Sequence, residues 1–272
     1  MIINRNILVK ALIFFTFLFV QKDSAAQTVY NKLVWSDEFD YNGLPDSSKW
    51  GYDKGKGCPD NCGWGNNELQ FYTWNRHENA RVEDGKLTIE ARKENFSGAA
   101  YTSARLVSKN KGDWKYGRFE ICAKIPAGKG MWPAIWMLPT KWKYGGWPQS
   151  GEIDIMENVG YLPDSLFGAI HTGAYNGSIG TQKVKSVLLD DLSTSFHVYA
   201  IEWTPEEISF FVDNKKYNVF KNEHTGTEAW PFDQEFHLLF NVAVGGNWGG
   251  KHGVDDKIFP QKLVIDYVRV YQ

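Results

Sequence analysis

The period of the apolar pattern constrains this fold more than any other feature. Apolar residues recur at every second position in short runs, and no stretch sustains the three-to-four spacing of an amphipathic helix. Residues 86–92, 116–125, 152–159, 167–172, 196–203, 208–212, 236–244 and 263–271 read as strands. Turn-forming pairs such as Asn42-Gly43, Asp84-Gly85 and Asp213-Asn214 punctuate them at hairpin-like intervals. A half-apolar strand has one face to hide, so a sheet of them needs a second sheet against it. The pattern predicts an all-β, two-sheet β-sandwich. With no internal repeat, low-complexity tract or linker, residues 27–272 are expected to form one domain.

The first residues have a different character. Arg5 and Lys10 precede an apolar run over residues 11–20, followed by Ser24, Ala25 and Ala26. That run is too short for a stable membrane anchor, and small residues sit where a signal peptidase cuts. A signal peptide over residues 1–26 is expected, and with it a secreted or periplasmic protein with no membrane attachment after cleavage. Removing that segment, with Arg5, Lys10 and Lys22 against Asp23, takes the net charge from −2 to −4. Nucleic acid and acidic membrane surfaces are poor partners for such a chain, because both require a concentrated basic footprint. A monomer is expected.

Export also bears on the cysteines. Cys58 and Cys62 lie four apart in a Gly- and Pro-containing loop, so a small disulfide ring is expected in an oxidising compartment. Cys122 falls inside an alternating run and reads as a buried small hydrophobe. The chain holds 12 Trp, 13 Tyr and 17 Phe, and much of the Trp lies in Gly- and Pro-rich stretches rather than in core runs. Flat rings beside hydrogen-bonding side chains suit the apolar faces and hydroxylated rim of a sugar.

The most informative segment runs from Gly151 to Val159, where Glu152, Asp154 and Glu157 interrupt a strand. Alternation puts Glu152 and Asp154 on one face, with Ile153 and Ile155 on the other. Glu157 has the wrong parity and would enter the core, unless a β-bulge absorbs one residue. A bulge at Ile155-Met156 is therefore expected. It returns Glu157 to the face of Glu152. Two carboxylates ~6 Å apart at an effective dielectric of ~20 repel by roughly 3 kcal/mol, enough to raise one pKa by about two units. One acid and one carboxylate on a single cleft strand are the requirements of retaining glycoside hydrolysis. Upstream, alternation places Trp132 and Trp136 together on one face, as the wall of an aromatic cleft requires. Asn66 and Trp248 sit in Gly-rich loops where backbone can approach a ligand. Trp142 and Trp147 either extend the rim or pin a loop.

These segments, with residues 34–39, 65–73, 116–120, 171–173, 241–248 and 265–271, resemble family 16 glycoside hydrolases, in particular the bacterial laminarinases. The resemblance covers nearly the whole chain beyond residue 26. It implies a concanavalin A-like β-jelly roll with a substrate cleft across its concave sheet. It further implies Glu152 as nucleophile, Glu157 as general acid/base and Asp154 as the assisting acid beside the nucleophile. Arg105 and His171 match cleft residues of the family. Glu38, Gly85 and Asp266 match a calcium site on the opposite face, where oxygen donors suit a hard cation. The implied activity is endo-hydrolysis of β-1,3-glucan, with mixed-linkage β-1,3-1,4-glucan as a second substrate and no cofactor for catalysis beyond a structural Ca²⁺. A non-catalytic glucan-binding protein and a transglycosylase on the same fold are the alternatives. Both glutamates are present, which favours an enzyme.

Overall fold

The computed structural model describes residues 30–272. The signal peptide expected over residues 1–26 lies outside the described residues. In chain order the strands are β1 (Leu33–Asp37), β2 (Gly51–Asp53), β3 (Gln70–Thr73), β4 (Ala80–Glu83), β5 (Lys86–Phe96), β6 (Ala99–Val107), β7 (Asp113–Trp114), β8 (Gly117–Lys124) and β9 (Met131–Pro139). They continue as β10 (Glu152–Glu157), β11 (Ser165–His171), β12 (Lys183–Leu188), β13 (His197–Trp203), β14 (Glu207–Val212), β15 (Lys215–Lys221), β16 (Phe236–Val244) and β17 (Gln261–Tyr271). No helix among the described residues is long and apolar enough to cross a membrane.

One sheet carries the acidic strand and runs β2-β6-β16-β9-β10-β11-β12, with β7 beside β16. The other runs β4-β5-β17-β8-β13-β14-β15, with β1 sharing an edge of β17 with β5. β5 joins the layers, because its first half pairs with β17 and its second half with β6. The core lies between them. β16 contributes Phe236, Leu238, Phe240, Val242 and Val244, packed with Phe119 and Ile121 of β8 and Val268 and Val270 of β17. Each such side chain, fully buried, stabilises the fold by about 1.5–3 kcal/mol.

All the expected strands form, with ends displaced by a few residues. Asp84-Gly85 and Asp213-Asn214 each carry positive φ at both positions and close the β4–β5 and β14–β15 hairpins, as the right-handed twist of paired strands demands. Asn42-Gly43 closes no hairpin; Gly43 instead bridges to Val82. The alternation did not reveal β12 and β15, whose residues are mostly half-buried or exposed and rich in lysine, as unpaired edges tend to be. Cys122 is buried, but it points away from the core that Ile121 and Ala123 enter.

Candidate active site

The bulge in β10 organises the site. Against β9, Asp154 pairs with Trp136 and Met156 with Ile135, so Ile155 is the extra residue. Against β11, Asp154 pairs with Ala169 and Glu157 with Phe167, the same one-residue excess. Ile153, Ile155 and Met156 all enter the core, while Glu152 and Glu157 remain partly accessible. The strand thereby buries three apolar side chains and spares the core a carboxylate.

Each glutamate receives one indole N–H. Trp132 Nε1 donates to Glu157 Oε1 at 2.9 Å, and Trp147 Nε1 donates to Glu152 Oε2 at 2.9 Å. His171, paired with Glu152 in the ladder, holds Nε2 3.3 Å from Asp154 Oδ2 and 3.8 Å from Glu152 Oε1. Asp154 is 2% exposed. Burial first, then the charges of Glu152 and Glu157, push its pKa well above the usual carboxylate range. Glu157 is pushed up to about 7, mainly by burial, with the Trp132 hydrogen bond and His171 opposing and Glu152 adding the smallest share. The rise matches the size expected from repulsion, but desolvation is its principal cause.

At His171 burial disfavours the charge, yet the Asp154 hydrogen bond and the surrounding carboxylates outweigh it and raise the pKa to about 10. The backbone N–H of Gly177 points at Nδ1 from 3.1 Å and favours an unprotonated Nδ1. In either charge state Nε2 carries a proton and faces Asp154.

The remaining candidates form a wall beside the acids. Arg105 sits between the rings of Trp64 and Trp136, 4.7 and 4.6 Å from their centroids, and pairs with Asp53 at 3.0 Å. Trp136 Nε1 donates to Asn241 Oδ1 at 2.8 Å. Asn66 donates to Glu68 at 3.3 Å, and Trp248 packs edge-on against Trp132 and Phe167. Trp64, Asn241, Phe167 and Glu68 were not singled out from the sequence. Glu68 lies within residues 65–73, one of the segments that carry the family resemblance, but its three donors, Asn66, Gln70 and Tyr72, converge only in the fold. Cys58 and Cys62 are joined by a disulfide in the loop that leads to Trp64.

On the opposite sheet, β17 brings the three expected calcium donors to one region. Asp37 pairs with Val268 and Leu87 with Ile265, so Glu38 and the Asp84-Gly85 turn flank Asp266, itself at a bulge. The donors are all oxygens, which fits calcium. Both carboxylates have cationic partners: Arg269 donates twice to Glu38, at 2.9 and 2.8 Å, and holds its pKa down, and Lys86 lies 3.3 Å from Asp266.

A carboxyl whose pKa lies near neutrality, beside a second carboxyl and among indoles on a β-sandwich, is the equipment of a glycoside hydrolase. The model of glycosyl hydrolases family 16 matches residues 67–269, and the chain belongs to that family. A β-glucanase of Rhodothermus marinus is 57% identical over 257 residues, spanning 92% of this chain and 88% of that one. A glucan endo-1,3-β-glucosidase of Cryptopygus antarcticus is 40% identical, spanning 82% of this chain and 84% of its own. The X-ray structure of the laminarinase from Rhodothermus marinus superposes with a TM-score of 0.86 at 58% identity, covering 89% of this chain and 97% of that one.

Proposed function

We propose that the protein is an endo-acting, retaining β-1,3-glucanase that also cleaves mixed-linkage β-1,3-1,4-glucan. The observation that carries the reading is the bulged acidic strand with an indole on each glutamate. In the first step Glu152 attacks the anomeric carbon while Glu157, protonated below its pKa of about 7, gives its proton to the departing oxygen. Glu157 then takes a proton from the water that releases the sugar. Asp154, its acidity suppressed by burial, lies beside the nucleophile and faces His171 Nε2 at 3.3 Å, which fixes its carboxyl in the strand. Arg105, Trp136, Trp64 and Asn66 are the proposed contacts to sugar on one side of the acids, and Trp132 and Trp248 those nearest Glu157.

Glu38, the carbonyl of Gly85 and Asp266 are the proposed ligands of a calcium ion, which would replace Arg269 and Lys86 as counter-charge and tie the chain ends together. Residues 1–26 support a proposed secreted or periplasmic location. A comparative digest of laminarin, lichenan, agarose and carrageenan tests the substrate. Fastest reducing-end release from laminarin, then lichenan, is expected; preference for agarose or carrageenan overturns the assignment.

A further inference from the structure

We infer that Trp147 is a positioning residue for Glu152, holding one carboxylate oxygen so that the other is free to attack. The inference rests on reading Glu152 as the nucleophile. Trp147 belongs to the β9–β10 connection and is 44% exposed, so packing alone does not explain its placement. Its indole N–H reaches Glu152 Oε2 at 2.9 Å, and its ring lies 6.0 Å from that of His171.

The loop is built to hold that position. Ser150, fully buried, donates to the Gly145 carbonyl at 2.6 Å and accepts from the Tyr144 N–H at 3.0 Å. Gln234 donates to the Ser150 carbonyl at 3.1 Å, and Tyr144 donates to Asp233, tethering the loop to the segment before β16. Gly151 has φ of 91°, and a Cβ there would come within 2.9 Å of Phe232 and Pro231. Only glycine permits this sharp entry into β10, which folds Trp147 back over Glu152.

The charged groups facing Glu152 are Asp154 and Glu157 on its own strand and His171 on β11; β9 contributes no titratable side chain. A charge-assisted hydrogen bond is stronger than a neutral one, so the indole N–H holds Oε2 in place among these neighbours. As the new bond forms between Oε1 and the anomeric carbon, the glycosidic bond breaks and the departing oxygen takes the proton of Glu157. Oε2 becomes the ester carbonyl oxygen and keeps the indole hydrogen bond. When water displaces the ester, the same N–H receives the returning charge.

Trp147→Phe keeps a ring beside His171 and removes the donor. On laminarin, kcat is expected to fall roughly tenfold while KM changes less than about twofold. An unchanged kcat with KM raised would make Trp147 a cleft wall only and overturn the inference. In substrate-free protein labelled with ¹⁵N-tryptophan, the indole resonance lost in Trp147→Phe should lie where a hydrogen-bonded N–H does in the wild type and move upfield in Glu152→Gln. A wild-type resonance at the position of a free indole, or one that Glu152→Gln leaves unmoved, also overturns it. Because this second readout needs no turnover, failure to hydrolyse laminarin and failure of the inference remain distinguishable.

Discussion

Glu157 keeps its proton to near neutrality at a cost to the fold. Its pKa is raised from 4.5 to about 7, so the folded protein retains a proton that the unfolded chain would release. The associated stability is complete below about pH 4.5 and is lost as pH rises through about 7. Full linkage would be about 3 kcal/mol, and partial exposure with coupled neighbours reduces it to about 1–2 kcal/mol. Glu157→Gln should therefore melt a few degrees above wild type at about pH 8 and level with it at about pH 4; equal melting at both would contradict the burial described. Wild-type hydrolysis should decline over the same upper range as the acid deprotonates. The identities of the three acids were legible in the sequence, but the cause of the pKa rise was not. Repulsion follows from spacing along one strand, whereas desolvation depends on side chains from β9 and β11 that meet only in the fold. Trp147 was legible as a rim or loop residue but not as the partner of Glu152, because a loop indole shows its partner only when the loop's path is known.

At the scale of the element, the parity of β10 was readable because it rests on a simple conflict between alternation and the cost of burying a carboxylate. The bulge then makes Met156 a core residue although it lies next to Glu157. Met156→Asp should destabilise the protein by about 3 kcal/mol or more, since the new carboxylate would be buried without a partner, whereas Met156→Leu should stay within about 1.5 kcal/mol. Urea midpoints of the two variants check this; similar midpoints would mean that residue 156 faces solvent and that the bulge is misplaced. The edge strands β12 and β15 lacked such a conflict. Their side chains are largely solvated on both faces, so no apolar alternation marks them, and pairing with β11 and β14 is what makes them strands.

Over the whole molecule, the two-sheet architecture was legible because nearly every long strand hides one face, and β16, buried throughout, marks the centre of its sheet. Loop geometry was not: the walls formed by Trp64, Trp248 and Trp147 depend on connections whose conformation is set by glycine turns, tethers and a disulfide. The region around β17 joins early and late parts of the chain, and a calcium bound there would stabilise the native state by mass action. Dialysis against a chelator should lower the melting temperature by a few degrees, with calcium restoring it and magnesium doing so poorly; a melting temperature indifferent to both would remove the ion from the account. The division of labour between the two glutamates is tested most directly by trapping. Incubation with an activated 2-deoxy-2-fluoro-β-laminaribioside, followed by mass spectrometry of the digested protein, should find one fluorinated disaccharide esterified to Glu152. An adduct on Glu157 or Asp154 instead, or laminarin products that first appear as the α-anomer, would contradict it.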